Sequence, residues 1–178
     1  MDYKEIEILA IASGFSRVGR LDTDTIKVRK EVRDSCAENK CRAYGTNWSC
    51  PPACGDLDEC EAVIKKYKQG LILQTTGNIE DSFDFDAMAD LEKVHLKSLE
   101  KFSSGIKKIY PKALIIGTGA CTMCRECTYP DDPCRFPEQM MSSMEALGMV
   151  VSDVCKENDI PYYYGPGTLT YVGCVLVE

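Results

Sequence analysis

Residues 71–76 have the sequence LILQTT, and this short apolar run predicts the buried β-strand that decides the fold class. An apolar stripe then predicts a long helix over about 85–103. Residues 113–116 predict a second strand, so the order is strand, helix, strand. This order favours a parallel pair of strands connected by the helix.

The segments on either side of this unit predict further helices and a hairpin. Asp2 and Glu5 resemble a capping box for a first helix that Gly14 ends. Other helices are predicted after Asp24, from Asp56, from Pro137 to about 147, and over 151–157. Residues 161–164 and 169–177 predict the two strands of a hairpin. We therefore expect an α/β fold, a mixed-sheet α/β sandwich, with residues 1–178 as a single metal-binding domain.

Composition and charge exclude several classes of protein. The chain has 178 residues, 44% of them hydrophobic, and a formal net charge of −7. It is long enough to bury a core without disulfides, and it lacks the basic footprint of a nucleic-acid binder. Its charged N-terminus and short apolar runs predict neither a signal peptide nor a membrane span of about 20 residues. We expect a cytoplasmic protein, where dense cysteines indicate metal binding or catalysis rather than disulfides.

Eight of the eleven cysteines fall into two groups of four. The first, in the loop 36–54, has the spacing C-x4-C-x8-C-P-P-x-C and comprises Cys36, Cys41, Cys50 and Cys54. The second, in the loop 121–134, has the spacing C-x2-C-x2-C-x6-C and comprises Cys121, Cys124, Cys127 and Cys134. Four thiols are the number that a tetrahedral metal ion or a cubane iron–sulfur cluster needs. These eight cysteines are the candidate cofactor- and metal-binding residues.

The second group has the more specific spacing. Three thiols at two-residue gaps match the start of a bacterial ferredoxin loop, although the fourth gap is longer than in ferredoxins. Zinc more often takes two separated pairs of cysteines, and it stays the alternative metal. Gly117, Gly119 and Ala120 are expected to leave room for backbone N–H groups beside sulfur. Arg125 and Arg135 are candidates to offset thiolate charge, or are simply solvated.

The first group has wider spacing and leaves more alternatives open. Cys50 precedes a proline, as the last cysteine of a ferredoxin loop does. Trp48 either shields a cluster from water or anchors the loop. Cys41 is either a ligand or a thiol beside the ligands, and the second case would leave an open iron that can bind a substrate.

Three stretches carry a resemblance to a known family: CAENKCRAYGTNWSCPPACG at 36–55, GACTMCREC at 119–127 and PCRFPEQMMSSMEALG at 133–148. From about Val28 onward the chain resembles a prokaryotic family of cysteine-rich predicted metal-binding proteins of unassigned function. The resemblance implies that the eight cysteines bind metal, as iron–sulfur clusters. It implies no particular reaction.

The remaining candidates are interpreted as structural. Cys60, Cys155 and Cys174 lie on apolar faces and are expected to behave as small buried hydrophobes. His95, the only histidine, lies on or beside an apolar helical stripe and is interpreted as a core or boundary residue. No phosphate-binding glycine motif is present.

The leading hypothesis is an iron–sulfur protein with two [4Fe–4S] clusters that exchanges electrons with a redox partner protein. One alternative is an enzyme in which one cluster keeps an open iron for sulfur or small-molecule reduction. The other alternative is a structural zinc protein that acts as an interaction module.

Overall fold

A four-stranded sheet and five α-helices form the fold in the computed structural model, which describes residues 1–178. The helices are α1 (Tyr3–Ser13), α2 (Lys30–Ala37), α3 (Leu57–Ile64), α4 (Phe85–Ile109) and α5 (Val151–Glu157). The strands are β1 (Arg17–Asp22), β2 (Gln69–Asn78), β3 (Leu114–Ile116) and β4 (Thr168–Val177). The α/β class predicted from the sequence is confirmed.

The sheet has the strand order β1-β2-β4-β3, and every neighbouring pair is antiparallel. The last strand, β4, lies between β2 and β3. Its Cys174 is paired with Ile72 on one side and with Ile116 on the other. The predicted parallel pairing of β2 with β3 is therefore wrong. Strand β4 lies between these two strands and pairs with both of them, so they do not pair with each other.

Helices α1 and α4 cover one face of the sheet. Helix α1 begins at Asp2, whose side chain accepts hydrogen bonds from the backbone N–H groups of Lys4 and Glu5. It ends at Gly14 as predicted, with a left-handed φ of 117°. Helix α4 extends to Ile109, beyond its predicted end. The two helices bury their apolar faces against β2, β3 and β4 in one hydrophobic core.

Helices α3 and α5, with the segment 144–149, cover the opposite face. Ile72 and Leu176 point into this second core, where they meet Ile64 of α3 and Val154 of α5. The central strands are therefore buried on both faces. This double burial explains why residues 71–73 are all apolar instead of alternating with polar side chains.

Residues 137–147 form turns and bends instead of the predicted helix. Their backbone bonds to the chain that follows β3. Gly117 donates to the carbonyl oxygen of Ser142 at 2.9 Å, and Met144 donates to the carbonyl oxygen of Gly117 at 3.3 Å. Met144 is fully buried beneath the sheet. Because a neighbouring segment takes these backbone groups, they are not available for helical hydrogen bonds.

Near the chain ends one predicted strand is wrong and one strand was missed, whereas the strand predicted over 169–177 is confirmed as β4. Residues 161–164 form no strand, and β4 pairs with β2 and β3 instead. Gln74 of β2 holds this segment, since its Nε2 donates to the carbonyl oxygen of Pro161 at 2.9 Å and its Oε1 accepts from the Tyr164 hydroxyl at 2.6 Å. Strand β1 was not predicted, because as an edge strand it buries only Leu21. No helix is both long and apolar enough to cross a membrane.

Candidate metal centre

The two cysteine loops pack against each other. The first connects α2 to α3, and the second follows β3. The buried Ser49 hydroxyl accepts a hydrogen bond from the backbone N–H of Cys121 at 2.9 Å. Trp48 donates from Nε1 to the carbonyl oxygen of Asp132 at 3.2 Å, and its ring meets that of Tyr129 edge-on, with centroids 5.0 Å apart. Trp48 therefore anchors the two loops to each other, which is one of the two roles that the sequence left open.

The second loop brings its four thiols to one cavity. This cavity is bordered by Cys121, Cys124, Cys127 and Cys134, and also by Trp48, Met140 and Arg135. Its volume is about 20 Å³, which is room for about one water molecule. The segment 117–150 contains no helix or strand. A cofactor larger than one ion therefore requires this loop to open, and no helical or strand hydrogen bonds resist that movement.

The two arginines of the second loop differ in position. Arg135 borders the cavity and donates to the carbonyl oxygen of Glu126 at 2.8 Å. Arg125 is exposed and does not border it. Of the two candidates for offsetting thiolate charge, only Arg135 is positioned to do so.

The first loop lines a much larger cavity, with a volume of about 420 Å³. Three thiols of the first group border it: Cys36, Cys41 and Cys50. Residues from other segments complete the wall, among them Glu92 of α4, Gly119, Ala120 and Glu145. Gly119 and Ala120, expected to make room beside the second group, thus make room beside the first.

Gly119 allows the carboxylate of Glu92 to approach the wall of this cavity. A Cβ at Gly119 would lie 3.1 Å from Oε1 of Glu92, which is tighter than an ordinary contact. Its backbone also has a left-handed φ of 63°, which favours glycine. The carboxylate therefore lies directly against the backbone that leads into the second loop.

Cys54, the fourth cysteine of the first group, does not border this cavity. Its thiol donates to the carbonyl oxygen of Ala146 at 3.5 Å, and its own carbonyl oxygen accepts a hydrogen bond from the Cys60 thiol at 3.7 Å. Arg33 in turn donates to Sγ of Cys60 at 3.4 Å. The neighbouring Cys54 thiol and the Arg33 guanidinium lower the pKa of the Cys60 thiol.

Protonation of the thiols opposes metal binding at the first site. Burial raises the pKa of the Cys36 thiol, and the positive charge of Arg33 partly offsets this effect. Because metals bind thiolates, loading this site must release protons. No three cysteine, histidine, aspartate or glutamate side chains meet closely enough to hold a single metal ion. The thiols instead lie around the walls of their cavities.

A third cavity, of about 610 Å³, lies between the two loops. Cys54 of the first group and Cys134 of the second both border it, together with Trp48 and the acidic turn that contains Asp131. The two groups of thiols are therefore neighbours in space, although about 70 residues separate them in the chain.

The residues interpreted as structural lie in the core. Cys155, Cys174 and His95 are all fully buried. Nδ1 of His95 lies 2.8 Å from the Thr75 hydroxyl, whereas Nε2 has no hydrogen-bond partner. Burial lowers the pKa of His95 to about 4, so the ring is neutral at physiological pH.

Sequence reasoning missed Arg33 and Glu92 at the first site, and it misjudged Cys60. Cys60 is buried, as predicted, but it faces Arg33 and Cys54 instead of packing as a plain hydrophobe. Its position six residues after Cys54 was the only available signal. Glu92 reaches the first cavity from the middle of α4, and no local pattern connects that helix to the loop.

By fold and site, the molecule is a cysteine-rich α/β protein with two thiol-lined loops. The model of a family described as predicted metal-binding protein (DUF2284) matches residues 19–177. The chain belongs to this family, as the resemblance in the sequence implied, and the match begins earlier than the predicted position near Val28. No curated protein and no solved structure gives a significant match.

Proposed function

We propose that this chain is an iron–sulfur protein that holds two [4Fe–4S] clusters and passes single electrons to and from a partner protein. The observation that carries the proposal is that Cys121, Cys124, Cys127 and Cys134 all border one cavity. An all-thiol donor set suits iron–sulfur clusters and zinc, and it does not suit magnesium or calcium. Membership in a predicted metal-binding family supports the metal part of the proposal.

The spacing of the second group favours a cluster over zinc. Cys121, Cys124 and Cys127 follow one another at two-residue gaps, as the first three ligands of bacterial ferredoxin loops do. The pairwise spacing typical of a structural zinc site is absent from this loop. Full ligation by four thiolates leaves no iron open, and this arrangement suits electron transfer better than catalysis.

The relation between the two loops supports electron transfer between two centres. The hydrogen bond from Cys121 to Ser49 and the cavity shared by Cys54 and Cys134 bring the two sets of thiols together. The net charge of −7 is complementary to a basic partner protein. We propose a cytoplasmic setting, because all eleven cysteines are free thiols, the state that a reducing compartment maintains.

The test is anaerobic purification of the full chain, followed by analysis of iron, acid-labile sulfide and zinc. Two cubanes predict about eight irons and about eight sulfides per chain. One equivalent of electrons per cluster should bleach the visible absorption and produce an electron paramagnetic resonance signal. Stoichiometric zinc without labile sulfide, in preparations made with and without oxygen, would overturn the proposal in favour of a zinc-binding interaction module.

An enzyme is the second candidate, and the position of Cys54 favours it. Because only three thiols border the first cavity, a cluster there would keep one iron without a cysteine ligand. An open iron can bind and reduce a small molecule or a sulfur compound. Added substrates of this class should then change the electron paramagnetic resonance signal of one cluster, whereas a purely electron-transferring protein shows no change.

A further inference from the structure

We propose that the first site holds its cluster through Cys36, Cys41 and Cys50 only, and that the fourth iron faces Glu92 and takes a neutral, protic ligand such as water or a thiol. Cys54 is then not a ligand but the partner of Cys60. This inference rests on the proposed function. It adds the ligand set and the class of molecule that the open corner accepts.

The three thiols come from two directions around one space. Cys36 lies in the last turn of α2, and Cys41 and Cys50 lie in the loop that follows. The cavity of about 420 Å³ has space for a cluster and for a further small ligand.

Cys54 does not border this cavity, and the chain that follows it is held by other contacts. Arg33 donates from Nη1 to the carbonyl oxygen of Gly55 at 2.7 Å, and from Nη2 to Cys60 at 3.4 Å. Asp56, just beyond, closes a capping box with Glu59 at the start of α3. The chain around Cys54 is therefore fixed by an arginine and by a helix cap. Turning its thiol into the cavity would break its hydrogen bond to the carbonyl oxygen of Ala146.

The acidic residues that border the cavity determine which ligand fits. The carboxylates of Glu92 and Glu145 border the cavity, and no lysine or arginine does. Three thiolates and two carboxylates make the space negative, so an anionic ligand is repelled. A neutral ligand with a proton to donate can instead hydrogen-bond to a carboxylate oxygen of Glu92 while its oxygen or sulfur binds iron.

The test begins with mild oxidation of the anaerobically prepared full chain by ferricyanide. An iron without a cysteine ligand is labile: the [4Fe–4S]²⁺ cluster gives one electron to ferricyanide, releases Fe²⁺ and becomes [3Fe–4S]⁺. We expect about one of about eight irons to be released, with the paramagnetic signal of one [3Fe–4S] cluster per chain. Two such signals, or none, would overturn the proposal.

A matched pair of substitutions tests the ligand set. Cys54→Ser should keep about eight irons, whereas Cys50→Ser should lose about four. If both variants lose about four irons, Cys54 is a ligand and the inference fails, while the proposed function stands. A wild-type protein that contains zinc and no sulfide defeats the proposed function itself, so the two failures are distinguishable.

A second pair tests the ligand of the open iron. In water enriched in ¹⁷O and free of added thiols, so that water is the protic ligand supplied, the wild type should show hyperfine broadening of the reduced first cluster's signal. Glu92→Gln should alter this broadening at unchanged iron content. Asp90→Asn should leave it unchanged, because Asp90 is exposed on the same helix and pairs with Lys93. Absence of broadening in the wild type, or equal effects of the two variants, would contradict the assignment of Glu92.

Discussion

The two cysteine loops contain the same number of candidate thiols but arrange them differently. The second gathers all four around one small cavity, whereas the first directs three to a large cavity and places Cys54 outside it. The second loop therefore matches the ligand count of a closed, electron-transferring cluster. The first matches a site with one position left for chemistry.

The difference shows what cysteine spacing can and cannot predict. Within 121–127 the gaps are so short that the thiols must lie near one another whatever the rest of the fold does. The gaps of the first group are long enough for other segments to decide the outcome. There the thiol of Cys54 bonds to the carbonyl oxygen of Ala146, and Cys60, which Arg33 contacts, lies beside it.

The largest effect should come from removing a thiol of the second loop. Cys124→Ser should lower iron and sulfide from about eight to about four per chain, because one cubane loses a ligand. The protein should also become less stable, since cluster binding contributes free energy to the folded state. Metal analysis and thermal unfolding under anaerobic conditions measure both effects.

Cys174→Ala is the matched control for this substitution. Cys174 is fully buried in the sheet, away from both loops, and its removal should leave the iron content unchanged. Equal iron loss in the two variants would show that the effect comes from the fold and not from ligation.

Lowering the pH should reduce the free energy of unfolding through His95. This residue is buried on α4, the helix that also carries Glu92 of the first site. The pKa of His95 is about 4 in the folded chain and about 6.5 when unfolded. Between these values the unfolded state binds the extra proton, so stability is present above pH 6.5 and is lost as the pH falls towards 4. The loss should total about 3 kcal/mol.

The contribution of His95 is separated from that of the carboxylates by a difference measurement. Urea unfolding of the wild type and of His95→Gln should be compared at several pH values. The free energy of unfolding of the variant should depend less steeply on pH between 4 and 6.5. Parallel pH profiles would show that His95 is not the group responsible.

The contact between the loops should have a smaller effect. Ser49→Ala removes the acceptor for the partly buried backbone N–H of Cys121, and it also removes the hydrogen bond that the hydroxyl donates to Oδ1 of Asn47 at 2.7 Å. We expect a loss of about 1–3 kcal/mol in the free energy of unfolding. Ser35→Ala, which removes an exposed hydroxyl on α2, should change it by less than about 0.5 kcal/mol. If the two variants unfold alike, Ser49 does not connect the loops.

The sequence predicted well those features that depend on local pattern. Capping residues predicted both ends of α1, at Asp2 and Gly14. Apolar periodicity predicted the strand over 71–76 and the helix from Phe85. The features that depend on distant partners were not predictable. Strand β4 comes last in the chain yet lies in the middle of the sheet, and residues 137–147 are bound to Gly117 instead of forming a helix.

The candidate site divides in the same way. The spacing of the cysteines identified all eight candidates. The short gaps of the second group also indicated that its four thiols lie around one cavity. The separation of Cys54 and the approach of Glu92 depend on α2, α3 and α4, which bring Arg33, Cys60 and the carboxylate to the loop. No window of the sequence contains that information, because the partners lie on separate elements.

The smallest effect should come from Trp48, which bridges the loops at their surface. Trp48→Phe keeps an aromatic ring against Tyr129 but loses the hydrogen bond to the Asp132 carbonyl oxygen. We expect a loss of about 0.5–1.5 kcal/mol at unchanged iron content. Tyr129→Phe is the control, because the Tyr129 hydroxyl makes no hydrogen bond within the chain and its removal should be close to neutral. If Trp48→Phe instead lowers the iron content, the tryptophan shields a cluster from water, and the two loops depend on each other more than their separate cavities indicate.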